Sequence, residues 1–295
     1  MGRAAPHRYR LSARVLSAVS WLLKVLSALG AGAVSKFESH EQQGRRGRNV
    51  ILGARGDAAA GFDPRPVLIV TGLIQEARIA AGPGFTVICS SSDPKQLRMM
   101  MADFDSSSIR GVISFGVAGG LDPSLRSGDI VIATEVMAGD RRWQSEIALS
   151  DELVSSAGLG RQRVVRGGLV GVEQVVAARD SKAALRSETG AAAVDMESHI
   201  AADFAAMAKL PFAALRVISD PANRSLPQMV STAIKPNGDI DLRKVLRGLA
   251  RHPTSIRSLV STGIDFNRAL RSLRGCRSFV LGAVIGSGSL VAADL

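Results

Sequence analysis

Between Pro66 and Ser219 short apolar runs, each closed by small or polar residues, alternate with stretches of helical period. Val67 to Thr71 has the length and β-branched content of a buried strand and stops at Gly72. Gln75 to Ala81 is helical in composition and ends at Gly82-Pro83. Thr86 to Cys89 predicts a second strand. Asp93 and Pro94 fit the cap and first turn of a helix whose apolar face is Leu97, Met100, Met101 and Phe104. Val112 to Phe115 predicts a third strand, running into a small-residue turn at Gly116-Val117-Ala118-Gly119-Gly120. Asp129 to Thr134 and Gly168 to Val172 predict further strands. Met196, Ile200, Phe204 and Met207 stripe a helix that ends before Pro211, and Phe212 to Ser219 predicts the last strand. Apolar strands alternating with helices imply an α/β domain around a mainly parallel or mixed sheet.

The flanks have a different pattern. Leu11, Val15, Val19, Leu22, Leu26 and Leu29 recur at helical spacing in an acid-free stretch that Ser20 and Lys24 interrupt. That is too short for a confident span. An interfacial helix, a poor signal sequence and upstream sequence outside the working protein all fit it. Residues 38 to 65 read as a Gly/Arg-rich linker. After Asp241 the chain turns helical and basic, with Leu242, Val245, Leu246, Leu249, Ile256, Leu259, Val260, Ile264, Leu270 and Leu273 as apolar positions. Phe279 to Ile285 is far below spanning length. The expected division is a basic extension over 1–65, a catalytic domain over 66–242 and a basic helical extension over 243–295.

Charge sharpens that division. The net +11 is not evenly spread: residues 1–65 carry 11 Lys/Arg against four Asp/Glu, and residues 243–295 carry nine against two. The middle, with 17 against 20, is slightly acidic. Basic flanks favour an anionic membrane surface or are simply solvated; without interleaved aromatics they do not suggest nucleic acid. Two cysteines, Cys89 and Cys276, make no disulfide framework, so a cytoplasmic setting is expected, peripheral at the inner membrane face if the basic flanks bind lipid. The four scattered histidines have no zinc spacing, and no metal is expected.

Candidate chemistry lies at strand ends. Glu76, Glu197 and Asp220 each follow or close an apolar strand, where open α/β sheets bind ligands. A partly desolvated acid there can hold a proton near neutral pH, as a general acid must; each alone is also a plausible helix cap or surface carboxylate. The 116–120 segment alone is weak evidence for phosphate or ribose binding.

Three blocks in order, VLIVTGLIQEARIA, VISFGVAGGLDPSLRSGDIVIATEV and AAAVDMESHIAADFAAMAKLPFAALRVISDPANRSLP, resemble the nucleoside phosphorylase/nucleosidase superfamily. They are most similar to bacterial methylthioadenosine/S-adenosylhomocysteine nucleosidases. GVEQVVAARDSKAAL and KPNGDIDLRKVLRGLARHP extend the resemblance to the branch associated with hopanoid biosynthesis. The resemblance implies a three-layer α/β fold with a central mixed sheet flanked by helices, no cofactor and a homodimer. It implies cleavage of adenine from a purine nucleoside, in the narrower branch adenosylhopane, which carries a pentacyclic lipid at its 5′ carbon.

By the same resemblance Asp220 is the general acid at N7 of the base, oriented by Ser219. Glu197 grips the ribose hydroxyls with Met196 beneath the sugar, and Glu76 activates water. Val175 and Val176 contact the base, the first in place of the aromatic usual in the nucleosidases. Gly116, Ala118 and Gly119 line the substrate. Glu76 stands where the phosphorylases have an arginine, and Val117 where they have a serine, which favours water over phosphate; Arg78 or an arginine of a partner subunit would restore a phosphate site. A soluble methylthioadenosine-type nucleosidase, a purine nucleoside phosphorylase and a non-catalytic nucleoside-binding protein are the alternatives.

Overall fold

The computed structural model describes residues 63–157, 162–227 and 256–276. Its eight strands are β1 (Val67–Thr71), β2 (Phe85–Cys89), β3 (Gly111–Gly120), β4 (Ile130–Ala138), β5 (Arg141–Gln144), β6 (Val164–Gly171), β7 (Ala193–Asp195) and β8 (Phe212–Asp220). The helices are α1 (Ile74–Ala80), α2 (Pro94–Ala102), α3 (Ile147–Ala157), α4 (Arg179–Thr189), α5 (Ser198–Ala208) and α6 (Ile256–Gly275). All eight strands form one mixed sheet flanked by helices, in the order β2-β1-β3-β7-β6-β4-β5, with β8 pairing both β3 and β4. The pairings β3–β8, β8–β4, β4–β6, β6–β7 and β7–β3 therefore close a ring of five strands. β1, β3 and β8 run parallel, so their carboxyl ends share one edge.

The core is aliphatic. Leu68, Val70, Val112, Val131, Leu169, Ala214 and Ile218 are buried from the strands, and Leu97, Met101, Ile200 and Phe204 from the helices. At 25–30 cal/mol per Å² of apolar area, such burial is the main force holding helices on the sheet. α2 starts as its sequence requires: Asp93 caps the N–H groups of Lys95 and Gln96, with Pro94 in the first turn.

Two expectations are corrected. Gly116 to Gly120 is strand, not turn, so β3 runs ten residues. Met207 is 74% exposed; α5 packs instead through Ile200, Ala201, Ala202, Phe204 and Ala205, because small side chains allow close approach to the sheet. Strands β5 and β7 and helices α3 and α4 had no clear periodicity to announce them. In the basic C-terminal segment, α6 buries Leu259, Ala269, Leu270 and Leu273, with Cys276 buried just after it, while Asp265 takes Ser127 Oγ–H on its carbonyl and pairs with Arg224. The amphipathic pattern before residue 38 and the apolar run Phe279 to Ile285 lie outside the described residues, as do positions 242–255.

Candidate active site

Two buried charge clusters stand beside the carboxyl ends of β1, β3 and β8. The first is built on Arg216, a fully buried arginine in the middle of β8. Its Nε lies 2.5 Å from Asp195 Oδ2 and its Nη2 3.6 Å from Glu197 Oε2. Nη2 also donates to Ser114 Oγ at 2.6 Å and to Ser198 Oγ at 3.2 Å. Ser198 Oγ–H in turn donates to Asp195 Oδ2.

Glu76, 1% exposed, joins the cluster from α1. Oε2 accepts the N–H groups of Gly72 and Leu73, each at 2.9 Å, and Oε1 accepts that of Val117 at 2.8 Å. Part of this is helix capping: Glu76 is the third helical residue and satisfies the N–H of the cap residue Leu73. The bond to β3 is not capping, and it ties α1 to the strand. Absent side chains make room. A Cβ on Gly116 would stand 2.6 Å from Arg216 Nη1 and 2.7 Å from the Glu76 carboxyl carbon. One on Gly72 would stand 2.5 Å from Glu197 Oε1.

Three carboxylates thus surround one guanidinium, and they cannot all ionise cheaply. Burial pushes Glu197 up to about 8, against the pull of Arg216 and with the push of Asp195 and Glu76. Burial also lifts Glu76 above its ordinary value, against Arg216 and its three N–H donors. Burial works against the charge of Arg216, but Asp195, Glu197 and Glu76 outweigh it and raise its pKa.

The second cluster is an ion pair. Asp220, at the end of β8, presents Oδ2 to Lys182 Nζ at 2.6 Å and Oδ1 to Ser219 Oγ–H at 2.7 Å. Ser219 Oγ also lies 3.2 Å from the Ala118 carbonyl. The register between β3 and β8 shifts by one residue at this point, so Asp220 rather than Ser219 stands opposite Gly119. Bulges of this kind re-aim side chains beside functional sites. A Cβ on Gly119 would meet Asp220 Oδ2 at 3.2 Å. Burial lifts the Asp220 carboxyl above its ordinary value, against Lys182 and Ser219.

Of the residues singled out in the sequence, Glu76, Glu197, Asp220, Ser219, Gly116, Ala118 and Gly119 converge here. Met196 is half-buried between Asp195 and Glu197. Val175 is 39% exposed, while Val176 packs beside Leu121, Met137 and Val194. Arg78 is exposed on α1; the arginine inside the site is Arg216. Arg216, Asp195, Ser198 and Lys182 were not singled out. A lone arginine inside the apolar run of β8 is the signal that could have found the first. Lys182 lies in a polar stretch and had none. Among the described residues, no group of three or more His, Cys, Asp or Glu has metal-binding geometry.

Comparison with known proteins identifies the family. A family model described as the Phosphorylase superfamily matches residues 96–247, just over half of the chain. Among solved structures, a 5′-methylthioadenosine/S-adenosylhomocysteine nucleosidase from Helicobacter pylori, bound to butyl-thio-DADMe-Immucillin-A, is similar at TM-score 0.55 and 17% identity. The match covers 75% of this chain and 98% of that one. The same kind of enzyme from Neisseria meningitidis, bound to methylthio-immucillin-A, gives 0.54 at 18% identity over 76% and 99%. Futalosine hydrolase of Helicobacter pylori gives 0.54 at 16% identity over 76% and 98%. At these identities the likeness is one of fold.

Proposed function

The chain belongs to the phosphorylase superfamily, and from that premise we propose that it hydrolyses the N-glycosidic bond of a purine nucleoside. The seat of Glu76 carries this reading. Converging N–H groups such as those of Gly72, Leu73 and Val117 form a cradle for an anion, and Glu76 already fills it. Phosphate would have to displace a buried carboxylate backed by Glu197 and Asp195. Neutral water meets no such repulsion.

The steps follow from the two clusters. Asp220 gives a proton to N7 of the base, so the base leaves uncharged. The C1′–N9 pair goes to the base, and water attacks C1′ while Glu76 takes its proton. Glu197, which keeps its proton up to about 8, grips the ribose hydroxyls, while Glu76 and Asp195 outnumber Arg216 and set a negative field around the cationic sugar. Similarity in fold to the nucleosidases and to futalosine hydrolase supports the reaction class.

The finer part of the proposal is the substrate: adenine is removed from a nucleoside with a large apolar 5′ substituent, adenosylhopane, met at an anionic membrane surface. The GVEQVVAARDSKAAL and KPNGDIDLRKVLRGLARHP resemblances support the substrate. The exposed Arg268, Arg271 and Arg274 of α6 support the surface, as does a hollow of about 590 Å³ lined by Arg126, Arg163 and Arg268. Among the described residues no helix is long and apolar enough to cross a membrane. Homodimerisation belongs to the same proposal, with exposed Met99 on α2 and Met207 on α5 as apolar surface for it. The test is incubation of adenosylhopane with and without phosphate, followed by mass analysis. Adenine plus the free ribosyl lipid, in equal yield with and without phosphate, is the expected result. A phosphate-dependent ribosyl 1-phosphate would replace hydrolysis by phosphorolysis. Equal turnover of methylthioadenosine would remove the lipid assignment.

A further inference from the structure

Lys182 is an unusual lysine. It sits in the first turn of α4, on a helix whose neighbours Asp180, Ser181, Ala183 and Ala184 are exposed, yet its own side chain is fully buried. Desolvating an ammonium is costly unless donors and charge are both satisfied. Both are satisfied here. Nζ reaches Asp220 Oδ2 at 2.6 Å and the carbonyls of Asp220, Pro221 and Arg224 at 3.2 Å each. The segment after β8 is wrapped around this ammonium: Arg224 N–H closes a turn on the Pro221 carbonyl, and Ser225 and Leu226 are stitched to Arg179 and Ala177.

This seat creates a chemical problem. A general acid must hold a proton, whereas a cation at 2.6 Å favours the carboxylate. We infer that Lys182 is the positioning residue of the acid, and that the proton delivered to the base is held jointly by the Lys182–Asp220 pair. The inference rests on the reading of Asp220 as the general acid. Ammonium with carboxylate and amine with carboxylic acid carry the same net charge of zero, so one proton is available in either form. In the delivery step a Lys182 Nζ–H bond breaks as an Asp220 O–H bond forms. That O–H bond then breaks as the N–H bond at N7 forms. Lys182 is left as the neutral amine and regains its proton from water once the base has gone. Among the described residues Asp265 of α6 also faces the pair; it disfavours charge on Asp220 and is itself held by Arg224. Ser219 Oγ–H fixes Oδ1.

The consequence appears at high pH. With Lys182 present, the proton has two seats 2.6 Å apart, Asp220 Oδ2 and Lys182 Nζ. Without it, Asp220 is the single seat, with no second donor to refill it. The alkaline limb of kcat/KM should therefore move down by at least about one pH unit in Lys182→Met, a tenfold loss on the high-pH side with much less below neutrality. Lys182→Gln keeps a donor for the carbonyls of Pro221 and Arg224 but no charge, so it guards against simple unfolding and should show the same displaced limb. Thermal melting of both variants reports on the fold. A purely structural lysine would lower melting temperature and leave the limb in place, and an unmoved limb in a folded variant overturns the inference. Asp220→Asn separates this from the broader reading. If that variant stays active, Asp220 is not the acid; if it is inactive while the limb of Lys182→Gln is unmoved, only the shared proton is lost.

Discussion

The two buried clusters solve opposite electrostatic problems. Around Arg216 three carboxylates share one cation, and Glu197 is driven up to about 8. Around Lys182 one carboxylate has a whole cation to itself. Even with Glu197 protonated, the other two carboxylates of the first cluster outnumber its guanidinium, which on the proposed reading suits a sugar that becomes positive in the transition state. On the proposed reading the second, being balanced, suits a group that passes a proton and takes it back. The proposed site thus has a field half and a proton half, and the division can be tested one half at a time.

The largest effect is expected in the proton half. Asp220→Asn should lose about three orders of magnitude or more in turnover, with nucleoside affinity nearly unchanged, since the amide keeps the shape but has no proton to give. Retention of more than about a tenth of the rate would dissolve the division. In the field half, Glu197→Gln should lose about a hundredfold in turnover and less in ground-state affinity. A raised KM with an unchanged kcat would reduce Glu197 to simple binding.

The field half should also be visible in stability. Folded Glu197 keeps its proton up to about 8, while the unfolded chain releases it near 4.5. Stability is therefore full below about 4.5 and is lost as pH rises toward 8, by up to about 1.4 kcal/mol per pH unit. Glu76 and Asp220 act in the same sense. Melting temperature should fall from pH 5 to pH 8, and Glu197→Gln should flatten part of that fall. An unchanged slope would mean that Glu197 titrates normally. The smallest effect lies outside both halves. Sedimentation with liposomes should rise with anionic lipid, weaken with salt, and drop when Arg268, Arg271 and Arg274 become Gln together, with little change in melting. Equal sedimentation with neutral liposomes would remove the electrostatic surface.

The sequence announces these halves unequally. Glu76 and Asp220 are legible because each follows or closes a readable apolar strand, and Glu197 through the resemblance of its block. Arg216 is half-legible, a charge where β8 should be uniformly apolar. Lys182 is not legible at all, since only the folding of residues 220–226 around it makes it buried. The 116–120 segment misleads for a related reason. Its glycines look like a turn, yet two of them are strand positions emptied so that Glu76, Arg216 and Asp220 can approach. Met207 fits a helical stripe but faces outward, because alanines do the packing of α5.

Arg216 and Asp220 ride on the same strand, four residues apart, and their neighbours Gly116 and Gly119 ride on the next. At about 3.3 Å per residue the pair of strands is a ruler of roughly 10–13 Å between the two halves. Its graduations are covalent, so no single substitution can lengthen it, and an insertion or deletion within it would displace both halves at once. On the proposed reading, variation in substrate enters away from this span, at the rim around the exposed Val175. Enzymes drawn from this chain by selection for new nucleosides should change at that rim and keep the span between Arg216 and Asp220 untouched.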